Sequence, residues 1–145
     1  MKTTTTLVLA ALLLAGTGRH ALAQQQASAL PHDVDVSVNA ITPGLVASGD
    51  SIFHGKAAGG ACLMCHGADG KGTPGLAPNL TDAKWLDSDG TYASIVATIQ
   101  RGVPDPKDGP SPMPPMGGAN LTPAQVRAVA AYVYSLTHPE LRAAR

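Results

Sequence analysis

The stretch Cys62-Leu63-Met64-Cys65-His66 decides how this chain is interpreted. It has the pattern C-x-x-C-H, which is typical of covalent attachment of a c-type haem. Two thiols three positions apart can form thioethers with two vinyl groups on one porphyrin edge, and the adjacent His66 is then held where it can bind the iron. The chain has only two cysteines, so the motif uses both. The pattern predicts one haem c, bound covalently through Cys62 and Cys65, with His66 as an iron ligand.

Two other interpretations of the motif are weaker. A C-x-x-C pair can act as a redox dithiol, but that chemistry does not need the histidine that follows. A zinc site needs about four nitrogen or sulfur ligands. After residue 23, the histidines outside the motif are His32, His54 and His138. None is separated from the cysteines or from another histidine by an interval typical of zinc ligands. The adjacent histidine therefore favours covalent haem.

Residues 1–23 have the composition of a cleavable signal peptide. Lys2 gives a short basic start, Leu7 to Ala15 is an apolar segment, and Ala21-Leu22-Ala23 has the small-x-small pattern of a cleavage site. An uncleaved anchor would need roughly 20 apolar residues, whereas Gly16 to His20 interrupts this run. A lipoprotein signal would need a cysteine at the cleavage site. We expect cleavage after Ala23, a periplasmic protein, and no transmembrane segment after cleavage.

The mature chain is small and poor in aromatic residues. Removal of 23 of the 145 residues leaves 122, enough for one small domain. Its large rings are Phe53, Trp85, Tyr92, Tyr132 and Tyr134, although such rings normally supply much of the apolar volume of a core. A buried porphyrin would supply that volume instead. The 8 Lys and Arg against 10 Asp and Glu give a net charge of −2, which does not support nucleic-acid binding.

Glycine, proline and apolar periodicity divide the chain into segments. Residues 24–46 are polar and aperiodic, which predicts a flexible N-terminal arm before a domain at 47–138 and a C-terminal tail at 139–145. A first helix is expected at about 48–56, and a second at about 92–101, where Gly102 ends it. The segment 67–78 predicts a loop around a haem edge, and 103–118 predicts a proline-dense loop.

The last helix has the strongest local signals. Thr122 is a good N-cap, Pro123 occupies the first helical position, and Gln125 completes a capping box. Leu121 and Val126 have the spacing of a hydrophobic staple. Apolar residues then recur at helical spacing up to Leu136. No segment alternates with period two for long enough to require a sheet, so we expect an all-α fold.

Five stretches together resemble the class I monohaem cytochromes c, over about residues 46–136. They are Gly49-x-x-Ile52-Phe53, the motif with Gly67, Ala77-Pro78-Asn79-Leu80, Met113-Pro114, and Ala130-Ala131-Tyr132-Val133. Residues 77–86, APNLTDAKWL, most resemble the cytochrome c domains of cbb3-type oxidase subunits and their soluble relatives. The resemblance implies three to five helices around one covalently bound haem. One departure is the interval of nine positions from Phe53 to Cys62, which is longer than usual.

The resemblance also implies a methionine as the sixth ligand of the iron, from the loop before the last helix. Met113 and Met116 are the candidates, and Met113 is favoured because it precedes a proline, as in the resembling proteins. Either methionine could instead fill a gap in the core. Prolines 110, 112, 114 and 115 restrict this loop, which lowers the entropy lost when a thioether binds.

Three further residues are implied to contact the haem or its ligand. The backbone carbonyl of Pro78 is expected to accept a hydrogen bond from the His66 ring, which fixes the ring's orientation. Leu80 is expected to pack on the haem face. Trp85 is expected to lie at the haem edge with its indole N–H near a propionate, or else to fill the core. Gly49, Phe53 and Tyr132 are expected to form the crossing of the first and last helices.

These features predict an electron carrier. Ligation by His66 and Met113 would fill both axial positions and leave no site for a substrate. The partners would be a redox-protein donor and acceptor, and the protein would be a monomer or a complex subunit. Lys56, Lys71, Lys84 and Lys107 are either steering charges around the haem edge or ordinary surface. The alternatives are a subunit docked on an oxidase or dehydrogenase, and a haem enzyme or gas sensor with a labile Met ligand.

Overall fold

The computed structural model describes residues 36–107 and 109–142. Within these residues the chain forms four α-helices: α1 (Pro43–Phe53), α2 (Leu63–His66), α3 (Tyr92–Arg101) and α4 (Pro123–Ser135). Three short 3-10 helices cover Val38–Ala40, Pro115–Gly118 and Pro139–Arg142. Strand-like pairing in the described residues is limited to two isolated bridges, so the all-α expectation is confirmed. The predicted signal peptide at 1–23, the start of the arm and the last three residues of the tail lie outside the described residues.

The ends of α4 follow the local signals of the sequence. Thr122 accepts a hydrogen bond from the Gln125 backbone N–H, and the Gln125 side chain accepts one from the Thr122 N–H. Leu121 and Val126 are both buried, as a hydrophobic staple requires. At the other end, the Arg142 guanidinium donates to the Ser135 carbonyl at 2.9 and 2.6 Å. The capping box, the staple and the helix itself are therefore as predicted.

Helix α1 is displaced from the predicted range of 48–56. Thr42 caps it by accepting a hydrogen bond from the Leu45 N–H, and Pro43 is its first residue. It ends at Phe53, after which the Ser51 carbonyl accepts from the backbone of both Lys56 and Ala57. The longer interval before Cys62 is thus a turn and not further helix.

The predicted arm at 24–46 also overlaps ordered structure. Its last residues contain the 3-10 helix Val38–Ala40 and the first turn of α1. Ile41 and Val46 are buried in the core. Two apolar residues in the described part of this segment are therefore buried beside α1, and residues 24–35 of the predicted arm lie outside the described residues.

Helices α1 and α4 cross at Gly49. A β-carbon at this position would lie 1.9 Å from the Ala128 carbonyl oxygen and 2.9 Å from the Tyr132 β-carbon. Only glycine permits this approach of the two backbones. The rings of Phe53 and Tyr132 meet beside the crossing with centroids 5.0 Å apart. The predicted role of these three residues in the helix crossing is confirmed.

Helix α3 packs against α4. It spans the predicted range and is followed by Gly102 at a φ of 72°. Tyr92, at its start, is buried and donates a hydrogen bond from its hydroxyl to the Arg127 carbonyl at 3.1 Å.

No helix in residues 36–107 or 109–142 combines the length and apolar character needed to cross a membrane.

The helix crossing yields a stability prediction. Gly49→Ala should lower the free energy of unfolding by about 1–3 kcal/mol or more, because the new methyl group overlaps the α4 backbone. Gly44→Ala is the matched control in the same helix, where the nearest atom to the new methyl group is 3.9 Å away. Alanine has the higher helix propensity, so the control should be neutral or slightly stabilising in denaturant titration of the haem-loaded protein. Equal losses in both variants would contradict the close crossing.

Candidate functional site

A large, mainly apolar cleft lies between helices α3 and α4 and the loops before and after α3. It contains about 1220 Å³ of space without protein atoms, including its open mouth. The structure brings all seven sequence-predicted site residues to its wall: Cys62, Cys65, His66, Pro78, Leu80, Trp85 and Met113.

The attachment motif is presented by the short helix α2. Cys62 has helical backbone angles at its N-cap, and the His66 N–H donates to the Cys62 carbonyl at 2.9 Å. One helical turn therefore brings the two cysteines to neighbouring positions on one side of the helix. Both thiols are free of disulfide bonding. Burial raises the pKa of the Cys62 thiol, which keeps it uncharged against the apolar wall.

His66 is oriented by the loop that follows it. Its Nδ1–H donates to the Pro78 carbonyl oxygen at a distance of 3.1 Å, which is the predicted hydrogen bond. Burial lowers the pKa of His66, although this hydrogen bond acts in the opposite direction. The ring is thus favoured in its neutral form with the proton on Nδ1. Nε2 then has a lone pair for a metal.

Met113 and Met116 both line the cleft. The Met113 backbone is fixed on both sides, because Val103 N–H donates to its carbonyl at 2.8 Å and its own N–H donates to Val103 at 3.0 Å. Met116 lies in the 3-10 helix and has a left-handed backbone with φ of 55°. Both side chains pack partly against the core. The Met113 backbone is therefore paired with Val103 on both sides, whereas the Met116 backbone is left-handed.

Leu80 and Trp85 are placed by the segment between the haem motif and α3. The Leu80 N–H donates to the Gly70 carbonyl at 2.7 Å. The Trp85 ring packs on Gly90, where a β-carbon would lie 2.5 Å from the indole Nε1. Gly90 also has a φ of 82°, so this contact needs glycine for two reasons. Both side chains are half-buried at the wall, as residues that contact a bound haem would be.

Further wall residues were not recognised as such from sequence. Ile95 and Ile99 of α3 and Val129 and Val133 of α4 face the cleft. Their helical spacing indicates an apolar face, but that pattern is the same for a protein core and for a cofactor pocket. Among the four lysines considered as steering charges, Lys84 lines the cleft, whereas the Lys107 ammonium donates to the Leu86 carbonyl at its wall.

The wall fits a haem better than a bare metal ion. It combines two thiols, a neutral imidazole and an extended apolar surface. In the part of the chain that the structure describes, no group of three or more His, Cys, Asp or Glu is arranged to hold a metal ion. Haem needs no such cluster, because the porphyrin itself holds the iron and the protein adds only axial ligands.

Comparison with known proteins decides the family. A cytochrome c family model matches residues 46–137, more than half of the chain. The chain belongs to the cytochrome c family. This cytochrome accordingly carries a covalently bound c-type haem, attached through its two cysteines, and the predicted fold class is confirmed. Its role is haem-based electron transfer.

Several curated relatives of this cytochrome are oxidase subunits. It is 41% identical over 95 residues to the cbb3-type cytochrome c oxidase subunit CcoP of Rubrivivax gelatinosus, which covers 66% of this chain and 27% of the relative. It is 39% identical over 110 residues to the FixPc subunit of Rhizobium leguminosarum bv. viciae, covering 74% and 35%. The subunit CcoP of Rhodobacter capsulatus is 45% identical over 83 residues, covering 52% and 25%.

The chain therefore spans only about a quarter to a third of the length of these relatives. No solved structure gives a significant match to it. The expected resemblance to cytochrome c domains of cbb3-type oxidase subunits is confirmed.

The attachment chemistry gives the next prediction. Cys62→Ala or Cys65→Ala should remove one thioether and shift the α-band of the pyridine haemochrome, because one vinyl group is left unsaturated. The double variant should lose all of its haem to acid–acetone extraction, whereas wild type should retain it. Haem that stays covalently bound to the double variant would contradict attachment through these two residues.

Proposed function

We propose that this cytochrome is a periplasmic carrier of single electrons, with His66 and Met113 as the axial ligands of its haem. The observation that carries the proposal is one apolar cleft that gathers both cysteines, a neutral, oriented imidazole and two methionines. A bound haem supplies one-electron chemistry at its iron. The residues of the chain hold it, exclude water from it and limit what else can reach it.

The Met113 assignment rests on the backbone around it. Both backbone groups of Met113 pair with Val103, and Pro114 fixes the next residue. A thioether is a weak ligand, so a firmly held backbone reduces the entropy lost on binding. Met116 lies at a left-handed position followed by Gly117, also at positive φ. This argument supports Met113 as ligand and Met116 as a packing residue.

The two methionines can be separated experimentally. Met113→Ala should remove the Met–iron charge-transfer band at the red end of the spectrum, lower the midpoint potential and open the iron to added ligands. Met116→Ala should leave that band in place and serves as the matched control from the same loop. The reverse pattern would assign the ligand to Met116 and leave His/Met ligation intact.

The rim of the site is suited to a redox partner. Met64 lies between the two cysteines and is 71% exposed, and Cys65 is also exposed. A large exposed apolar side chain at this point leaves the attachment edge of the haem accessible to an apolar patch on another protein. Lys84 adds a positive charge at the cleft wall. These features support a transient complex with a redox-protein donor or acceptor.

A permanent complex is the second candidate. The relatives named above are oxidase subunits, which favours this cytochrome as a subunit or a dedicated partner of a larger redox enzyme. In that case the exposed edge around Met64 would be covered by the enzyme. Retention of this cytochrome with an oxidase or dehydrogenase during gentle purification, detected by haem staining after native electrophoresis, would select this candidate.

Export is supported by the composition of residues 1–23. A basic start, a short apolar segment and a small-x-small site precede a domain that needs covalent haem attachment.

A haem enzyme or gas sensor is the remaining alternative. Asp87 and Lys84 are charged residues of the cleft wall, and either could move a proton if the iron had an open site. His66 is the one histidine among the wall residues, and its Nδ1–H is already donated to Pro78. Because this imidazole is already oriented as a ligand, no wall histidine is available as a catalytic acid or base, and the carrier is the better supported of the two functions.

Ligand binding distinguishes the carrier from the enzyme. Reduced wild-type protein should be low-spin and should bind carbon monoxide slowly or not at all at neutral pH, with negligible peroxidase activity, because both axial positions are filled. Met113→Ala should gain both properties. Stopped-flow carbon monoxide binding and a peroxidase assay measure this. Rapid binding and high turnover in wild type would favour the enzyme or sensor, and Asp87→Asn would then identify the proton donor.

A further inference from the structure

His54 lies outside the cleft, directly after α1, and both of its ring nitrogens face hydrogen-bond acceptors. Nδ1 is 2.9 Å from the Asp50 backbone carbonyl oxygen and 3.1 Å from an Asp50 carboxylate oxygen. Nε2 is 2.9 Å from the Ala68 carbonyl oxygen. Carbonyl oxygens only accept, and a neutral imidazole has a single N–H. Both contacts are satisfied together only when each ring nitrogen carries a proton.

The Asp50 carboxylate, on α1, is the charged group in contact with this ring. The charges of Asp69, next to Ala68, and of Arg142, after α4, act on the neighbouring Tyr132. The Tyr132 ring of α4 meets the His54 ring edge-on, with centroids 5.7 Å apart. Burial, followed by the Asp50 charge, raises the pKa of Tyr132, so its phenol stays neutral. The side chain of His54 is 19% exposed.

The Ala68 contact joins α1 to the loop that orients His66. Ala68 lies in the turn from Gly67 to Gly70, which closes with a hydrogen bond of 3.1 Å. The Gly70 carbonyl accepts from Leu80, two residues after the Pro78 carbonyl that holds the imidazole. Movement of this turn would therefore be transmitted to the acceptor of the His66 hydrogen bond.

We propose that doubly protonated His54 is a positioning residue for His66, because it fastens the turn at residues 67–70 to α1. The inference rests on the proposed role of His66 as an iron ligand. Loss of one ring proton makes one of the two contacts repulsive and releases the turn. The doubly protonated ring also carries a positive charge, which favours the reduced haem. Removal of the ring should therefore lower the midpoint potential as well as release the turn.

The protonation state can be observed directly in the wild-type protein. Two-bond ¹⁵N–¹H spectra of the reduced, diamagnetic holoprotein should show both His54 ring nitrogens protonated at pH 7. His138 is the matched control, because its contacts with the Tyr134 carbonyl and the Thr137 hydroxyl both involve Nδ1. One proton on that nitrogen satisfies them. A neutral His54 ring at this pH would overturn the proposal and leave the electron-carrier function untouched.

The positioning role requires a variant. His54→Gln should lower the midpoint potential at pH 7 and should speed hydrogen exchange of the Leu80 amide. The Val103 amide, which pairs with Met113, should exchange as in wild type, and His138→Gln should change neither property. If the midpoint potential and Leu80 exchange of His54→Gln match those of wild type, His54 does not position His66. Carbon monoxide binding tests the carrier function separately.

Discussion

The apolar side chains of the described residues leave one side of the core open, and the rest of the structure depends on this constraint. Helices α1 and α4 cross closely at Gly49, and α3 packs on α4, but the faces of α3 and α4 beyond that contact line an open apolar cleft. The large aromatic residues of the described chain are few, and Phe53 and Tyr132 are used at the crossing. An apolar cleft left in water is costly. Covalent haem removes that surface from water, so cofactor attachment and folding are coupled.

Local signals predicted the parts of the fold that depend on a few neighbouring residues. The capping box of α4 and the range of α3 were correct because a side chain and a backbone N–H three positions away determine each helix start. The start of α1 was missed although Thr42-Pro43 has the same N-cap and first-position pattern. A proline after a polar segment has the same appearance in a linker, and only the burial of Ile41 and Val46 distinguishes the two.

Some residues of the site could be predicted from the sequence and others could not. The motif identifies the attachment residues directly, because one helical turn must present two thiols and an imidazole together. The seven candidates do line one cleft. By contrast, the His54–Ala68 contact joins residues 14 positions apart through a backbone carbonyl. Backbone carbonyls have no signature in sequence, so contacts of this kind emerge only when the loop's path is known. The same holds for the choice between Met113 and Met116, since both lie in one proline-rich loop.

The two sides of the haem site are held by different physical means. Met113 is fixed by backbone pairing with Val103 and by neighbouring prolines, all of which are insensitive to pH. His66 is fixed through a chain of hydrogen bonds that runs from Pro78 and Leu80 through the turn at 67–70 to the His54 ring. One link in that chain is a side chain that needs two ring protons to make both of its contacts, whereas Met113 is paired through backbone groups only. The two proposed ligands therefore depend on different parts of the fold: the methionine on a loop fastened at Val103, and the imidazole on a turn fastened to α1. A change at His54 should accordingly reach the imidazole side and leave the methionine side as it is.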